Sequence, residues 1–134
     1  MCRHTKTLNT VHEFCEAAKP AFGKRLCAVL VHKGIIISVG FNQKKTHPFQ
    51  KKHSKNNDAI WIHAENDCLV RAMHHHNKET IRKSTLYVLR LKQDQNGNLI
   101  RGMAKPCSGC QRAIAASNIQ KICYTTDDAE FDWL

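Results

Sequence analysis

The sequence predicts an α/β fold of three layers, α/β/α, around a mixed central sheet of four to five strands. Residues 26–32 and 35–41 are apolar and rich in β-branched side chains, and only Lys33-Gly34 separates them, which predicts a tight β-hairpin. Strands that are apolar on both faces need cover on both sides, so we expect helices above and below the sheet. Near the C-terminus a helical pattern joins two further strands, which should therefore be parallel.

The first two predicted helices follow from the spacing of apolar residues. Residues 7–19 and about 63–75 repeat apolar side chains at helical intervals. The first helix should end at Pro20, because proline cannot continue a helix. The predicted buried faces are Leu8, Val11, Phe14, Cys15 and Ala18 in the first helix, and Ala64, Cys68, Leu69, Ala72 and Met73 in the second.

The C-terminal half predicts a strand at 84–91, a helix at 108–117 with Asn118 as its C-cap, and a strand at 121–126. Residues 92–102 are polar and contain the turn signal Asn96-Gly97-Asn98, which predicts a surface hairpin or loop. The run His74-His75-His76 is better explained as favourable charge at a helix C-terminus than as a second metal site. Consecutive helical residues point about 100° apart and do not converge on one ion.

The segment 42–60 has no helical or strand period, and Pro48 argues against regular structure there. It holds five lysines before its only acid, Asp58. A loop of this length in a compact domain is usually functional, so we interpret it as a substrate-facing loop, with a merely solvated loop as the alternative. Asn42, Thr46 and His47 are its candidate substrate-binding residues, and its lysines (Lys44, Lys45, Lys51, Lys52 and Lys55) are candidates for holding phosphate.

Length and charge limit the class of protein. The 134 residues predict one domain, 1–134, whose last eight residues form an acidic tail, 127–134. The formal net charge is +10, and the tail holds four of the eleven acids, so residues 1–126 are still more basic. Such a surface attracts phosphates, whether of a free nucleotide or of a polynucleotide.

No stretch is apolar over the length of a membrane span or a signal peptide, and we expect no membrane partner and a cytoplasmic location. The number of cysteines is odd, seven, and four of them lie among apolar neighbours. This pattern predicts reduced core thiols in a reducing compartment. These four are Cys15, Cys27, Cys68 and Cys123.

One pair of motifs carries the chemistry. His63-Ala64-Glu65 is followed about forty residues later by Pro106-Cys107-Ser108-Gly109-Cys110. One imidazole and two thiolates would leave the fourth position of a tetrahedral zinc open to water, as in catalytic sites. Cys-x-x-Cys alone is also typical of redox and structural zinc sites, but no fourth Cys or His stands at ligand spacing here. We therefore predict one catalytic Zn²⁺ per chain, with Glu65 as the proton shuttle and the Ala64 N–H as a donor to the substrate base.

From its first helix to Thr126, the chain resembles the zinc-dependent cytidine/deoxycytidylate deaminase superfamily, and most closely the small deoxycytidylate-deaminase-like proteins of bacteriophages. The resemblance implies a cytidine-deaminase-like fold, zinc ligation by His63, Cys107 and Cys110, proton transfer by Glu65, and recognition of the substrate by Asn42. For a phage protein it implies the cytoplasm of the host cell. The motifs that carry it are residues 39–42, 45–48, 62–65 and 104–114.

Three features depart from the usual deoxycytidylate deaminase pattern. Asp67 stands where an asparagine is usual, two places after the glutamate, and Gln43 replaces the glycine that commonly follows Asn42. The chain also ends soon after its fourth predicted strand. The sheet edge left there needs cover, either from the tail residues Phe131, Trp133 and Leu134 or from a second subunit in a homo-oligomer.

The predicted function is hydrolytic deamination of a cytosine nucleotide, with deoxycytidylate as the favoured substrate and the basic loop holding its phosphate. One alternative is a cytosine or adenine deaminase acting on single-stranded DNA or RNA, which the net charge and Trp61 would suit. A second alternative is a non-catalytic, zinc-stabilised nucleic-acid-binding protein. Glu65 argues against it, since a purely structural site has no use for that carboxylate.

Overall fold

The computed structural model describes residues 2–18, 25–43, 47–53, 62–128 and 130–134. Its centre is a mixed sheet of six strands in the order β2-β1-β3-β5-β6, with β4 paired to the far end of β3. The strands are β1 (Arg25–His32), β2 (Ile35–Phe41), β3 (Thr85–Gln93), β4 (Leu99–Gly102), β5 (Lys121–Thr125) and β6 (Phe131–Trp133). The helices are α1 (Arg3–Ala17), α2 (Pro48–His53), α3 (Ala64–His75), α4 (Lys78–Arg82) and α5 (Ser108–Ala116).

The hairpin predicted from residues 26–41 is confirmed. β1 and β2 pair antiparallel, with His32 opposite Ile35, which leaves Lys33 and Gly34 as a two-residue turn. Both turn residues have positive φ, 50° and 79°, as a type I′ turn requires. The predicted parallel pairing is also confirmed, since Thr85 to Val88 of β3 run alongside Lys121 to Tyr124 of β5.

Helices cover both faces of the sheet, which confirms the three-layer prediction. On one face α1 packs through a cluster that includes Leu8, Val11 and Cys15. On the other face α3 and α5 pack through a second cluster that includes Leu69 and Ile114. The four cysteines predicted to be core thiols are buried and free. No helix in the described parts of the chain combines the length and the apolar character that crossing a membrane demands.

The prediction that Phe14 and Met73 lie on buried helix faces was wrong. Phe14 is 36% exposed and Met73 is 46% exposed, while the other described members of both faces are buried or half-buried. Met73 directly follows the buried Ala72, so it points about 100° away from it, and a sheet contacts only one stripe of a helix. α1 also begins earlier than predicted, at Arg3. Lys19 and Pro20, predicted to end this helix, lie outside the described residues.

The prediction that Pro48 prevents regular structure was also wrong. Pro48 is the first residue of α2, where proline is tolerated because its missing N–H would have had no helical partner. Its neighbour His47 supports the turn: its Nδ1 accepts the Phe49 N–H at 3.1 Å, and its carbonyl accepts the Lys51 N–H at 3.2 Å. The segment 42–60 is therefore not wholly irregular.

The sheet is one strand larger than the four to five predicted. β4 forms within the polar segment 92–102, which is a hairpin as expected, and β6 forms in the acidic tail. β6 pairs antiparallel with β5, with Trp133 opposite Cys123. Phe131 and Trp133 of the tail thus cover the β5 edge, which is one of the two arrangements that the sequence predicted.

Candidate functional site

Three side chains from the two separate motifs meet in the folded chain. The ligand atoms of His63, Cys107 and Cys110 all lie within 4.8 Å of one another. His63 Nδ1 is 3.2 Å from Cys110 Sγ and 3.6 Å from Cys107 Sγ. Within the parts of the chain that the structure describes, these residues form the one group of three or more His, Cys, Asp or Glu ligands close enough to share a metal ion.

The geometry fits zinc. With ordinary zinc bond lengths, the nitrogen and sulfur ligands of a tetrahedral site lie about 3.5 Å apart, and the two separations found here bracket that value. One neutral imidazole and two thiolates also balance the charge of Zn²⁺. The group therefore fits one Zn²⁺ per chain, with the fourth tetrahedral position left to a small ligand.

Two helix N-termini bring these ligands together. His63 is the N-cap residue of α3 and Cys107 is the N-cap residue of α5, both with extended backbone. Cys110 lies in the first turn of α5 and is buried. The positive end of a helix dipole stabilises thiolate, so the fold favours the charged form of these sulfurs. The Gln111 side chain holds the turn before α5 by donating to the Pro106 carbonyl at 2.8 Å.

The two thiols differ in acidity. Hydrogen bonds from the Cys110 thiol and from His63 lower the pKa of Cys107 to about 3, so Cys107 is a thiolate at neutral pH. The pKa of Cys110 is raised by the hydrogen bond that it gives to Cys107 and by burial. Cys107 therefore loses its proton more readily than Cys110, and binding of a divalent cation by both sulfurs, which ligate as thiolates, would release protons.

Glu65 lies beside this group without belonging to it. Its side chain is in the first turn of α3, only 4% exposed, and its carboxyl is hydrogen bonded to the Cys110 thiol. Burial raises the pKa of Glu65 above its ordinary value, against the opposing effects of a backbone N–H and of His63. A buried carboxyl with a raised pKa holds a proton more tightly than an exposed one, and proton transfer to and from such a group is what general acid-base catalysis uses.

Sequence reasoning missed the residue that fixes His63. Gln50 of α2 is fully buried, and its Oε1 accepts both the His63 backbone N–H at 3.1 Å and the Asn66 side-chain amide at 2.6 Å. Among the described atoms, Gln50 Nε2 and Asn66 Oδ1 are buried without a hydrogen-bond partner. Unpaired buried polar atoms cost about 1–3 kcal/mol each and are few in native structures. No sequence pattern marks Gln50, which stands in a segment that reads as a basic loop.

The two departures from the family pattern, Asp67 and Gln43, contact each other. Asp67 Oδ2 accepts the Gln43 side-chain amide and the Phe41 backbone N–H, both at 3.0 Å, and it pairs with Arg71 Nε at 3.2 Å. Asp67 is 3% exposed, so three donors compensate its burial. The Gln43 N–H also donates to the Ile62 carbonyl. Together these bonds fix the end of β2 to the first turn of α3.

The structure describes three of the four predicted substrate-binding residues. Ala64 is buried at the first position of α3, with its N–H at the helix N-terminus. Asn42 is half-buried at the end of β2, where its Oδ1 accepts the Leu26 N–H at 3.1 Å. It lines a cavity of about 490 Å³ between β2 and the end of α1. Thr46 lies outside the described residues, and the half-buried His47 directly precedes α2.

Of the basic segment, Lys51 and Lys52 are exposed on α2, while Lys44, Lys45 and Lys55 lie outside the described residues, as does Trp61. The His76 ring bonds to the Ile37 carbonyl, and His74 and His75 are exposed.

Comparison with known proteins agrees with this geometry. The family model described as the cytidine and deoxycytidylate deaminase zinc-binding region matches residues 1–126. The dCMP deaminase of cyanophage S-TIM5, in apo form, is similar in structure, with 22% identity, 94% of this chain and 86% of that chain covered, and a TM-score of 0.60. The structure of the same enzyme in complex with dCMP and dUMP is also similar, with 22% identity, 92% of this chain and 82% of that chain covered, and a TM-score of 0.58. At this identity the likeness shows the fold. No curated protein sequence matches the chain.

Proposed function

The chain belongs to the cytidine and deoxycytidylate deaminase family, whose members are hydrolytic enzymes, and on that premise we propose that it converts deoxycytidylate to deoxyuridylate. The supporting observation is the meeting of His63, Cys107 and Cys110 with the buried Glu65 beside them. A carboxylate in this place has no role in a structural zinc site, so the non-catalytic alternative is set aside. The finer choice of deoxycytidylate is supported by the similar cyanophage structure with dCMP and dUMP.

The residues of the site have separate roles in this reaction. Zinc, when bound by His63, Cys107 and Cys110, supplies a Lewis acid that makes water nucleophilic at neutral pH. Glu65 takes a proton from the attacking water and delivers a proton to the leaving amine, so that water and the amino-substituted ring give the keto ring and ammonia. Burial raises the pKa of Glu65, and a carboxyl whose pKa is raised is a stronger base toward the water and can still return the proton to the leaving amine.

The rest of the substrate is held by groups around that centre. The Ala64 N–H, at the positive end of α3, donates to the base. Asn42, fixed at the end of β2 by its bond to Leu26, contacts the sugar or base, and the lysines of segment 42–60 attract the phosphate.

The test is ammonia release from cytosine, adenine and guanine compounds supplied as bases, nucleosides and nucleotides, with zinc measured in the same samples. Deoxycytidylate should be turned over fastest by protein that holds one zinc per chain. Glu65→Gln should keep its zinc and lose turnover by about 10²-fold or more. Glu13→Gln removes an exposed carboxylate from α1 and is the matched control, expected to be fully active. Full turnover by Glu65→Gln would contradict the assigned role.

Deamination within a single strand is the second candidate, because of the net charge of +10. Strand binding needs exposed aromatic rings for stacking, but Phe41 and Phe49 are half-buried and pack against the two cores. Turnover of an oligonucleotide, falling steeply with salt, would favour this candidate. Turnover of mononucleotide alone excludes it.

A further inference from the structure

A second cavity, of about 410 Å³, lies between the first turns of α1 and the sheet. It is lined by Lys33 and Gly34 of the hairpin turn, by Thr85 at the start of β3 and by Lys121 at the start of β5. The candidate zinc site lies instead beside the other end of β2, where the Gly40 backbone approaches the first turns of α3. The two sites are therefore at opposite ends of the sheet, and the proposed deamination does not use this cavity.

Positive charge converges on the cavity from separate parts of the chain. Its lining contains no aspartate or glutamate. Of its cations, Lys83 forms an exposed ion pair with Glu79 at 3.1 Å. The others come from α1, from the hairpin turn and from β5. A concave site lined by charges of one sign focuses the field and raises the local concentration of counter-ions. The cations are Arg3, Lys6, Lys33, Lys83 and Lys121.

The start of α1 strengthens this field. The first turn of α1 contains no acidic residue, and the side chain of its N-cap, Cys2, bonds to the Thr5 hydroxyl at 3.2 Å instead of forming a capping bond. Arg3 and Lys6 thus stand at the positive end of the helix dipole, where cations are unfavourable. An anion in the cavity would compensate both the cations and the helix N–H groups.

The inner wall offers hydrogen-bonding groups as well as charge. The His4 ring and the Tyr87 hydroxyl are hydrogen bonded at 2.6 Å, and both line the cavity. The pKa of His4 is lowered, first by burial and then by the charges of Arg3 and Lys121, which line the same cavity. A neutral imidazole next to a cationic rim suits a polar, anionic ligand.

We propose that this cavity is a second binding site, for a compact polyphosphate anion. The cations surround one concavity from several directions, which matches a short chain of phosphate groups better than an extended strand. Its volume lies within the range of small-ligand pockets. Lysine and arginine are the side chains that hold phosphate oxygens in proteins.

The test is calorimetric titration of the zinc-loaded, full-length protein with inorganic tripolyphosphate at about 0.15 M salt, with zinc content measured before and after. The double variant K33E/K121E should bind at least about tenfold more weakly. Arg3→Glu should also bind more weakly, and it will fold, because an acid in the first turn stabilises a helix. Lys78→Glu makes the same charge change at an exposed position outside the cavity and should bind like the wild type.

Three results would overturn the proposal. The first is equal binding by K33E/K121E and the wild type. The second is an equal loss of binding in Lys78→Glu, which would show that net charge alone sets the affinity. The third is tighter binding, per phosphate, of an oligothymidylate about 12 residues long, lost in K33E/K121E, which would assign the surface to a strand. Glu65→Gln should bind tripolyphosphate normally, so the failure of this proposal is distinguishable from that of the proposed deaminase activity.

Discussion

Replacing Gly40 with alanine should displace α3, the helix that carries Glu65 and begins after His63. A Cβ at position 40 would lie 2.2 Å from the Cys68 nitrogen, 2.5 Å from the Ala64 oxygen and 2.7 Å from the Cys68 Cα. All three are backbone atoms of α3, so no side chain can move aside. Ordinary van der Waals contact begins at 3.4 Å, so α3 must retreat by about 1.2 Å.

The displacement has two measurable consequences. Overpacking of this kind costs about 1–3 kcal/mol, so the urea midpoint of Gly40→Ala should fall. α3 also carries Glu65, and its N-cap is His63, while the two cysteine ligands lie on and beside α5. A metal site tolerates errors of about 0.2 Å in its distances, and a 1 Å misplacement can reduce turnover about 10²-fold. Zinc occupancy and turnover should therefore fall together with stability.

Gly102→Ala is the matched control. Its Cβ would meet only side-chain atoms, the Lys92 Cδ at 3.1 Å and the Arg90 Cδ at 3.5 Å, and both of these side chains are flexible. The free energy of unfolding in urea should change by no more than about 0.5 kcal/mol, and zinc content should not change. If Gly40→Ala proved as stable, as fully loaded with zinc and as active as Gly102→Ala, then β2 and α3 do not approach as described and the reasoning fails.

Three further predictions concern the supports of the site and the core. Gln50→Leu should lower zinc affinity about 10–100-fold, while Lys51→Ala, an exposed neighbour, should not; equal affinities by competition with a chelator would refute this role. Asp67→Asn and Gln43→Gly should each destabilise the protein, and a double-mutant cycle in urea should show coupling, since the two side chains are hydrogen bonded; additive effects would contradict that bond. The free energy of unfolding should fall as pH rises above about 9, by about 1 kcal/mol per core thiol at pH 10. The cysteine thiols of the unfolded chain ionise near pH 9.0, while burial keeps the same thiols protonated in the folded chain. A free energy of unfolding that stayed constant from pH 8 to 10 would contradict this reasoning. The pKa is raised to about 11 for Cys15, to about 12 for Cys68 and Cys123, and is also raised for Cys27.

The features that could be predicted from the sequence depend on neighbouring residues. Lys33-Gly34 predicts its hairpin because a two-residue turn needs positive φ at both positions, which the structure shows. The zinc group could be predicted because each half of it, one in α3 and one in α5, lies within a single helix start. There a short motif fixes the local geometry, and the fold has only to bring the two halves together.

The features that could not be predicted depend on contacts between distant segments. Gln50 reads as one polar residue among lysines, and only the packing of α2 against α3 buries it beneath His63. The sequence predicted β6 only as one of two ways to cover the edge of the sheet. A strand of three residues gives too weak a sequence signal to favour it over a second subunit. Phe14 is apolar and correctly spaced, but burial depends on how far the sheet extends beneath α1.

The two departures at positions 43 and 67 are best understood as one change. Asp67 Oδ2 accepts three donors, one of them the charged Arg71 guanidinium, and a charged donor binds a carboxylate oxygen more strongly than a neutral amide oxygen. Gln43 supplies one of these donors, which glycine could not, so each residue provides what the other needs. Their bonds fix the end of β2 to the same turn of α3 that Gly40 approaches. The contact between β2 and α3 therefore positions His63 and Glu65, and the polar side of that contact differs from the family pattern while the zinc ligands keep to it.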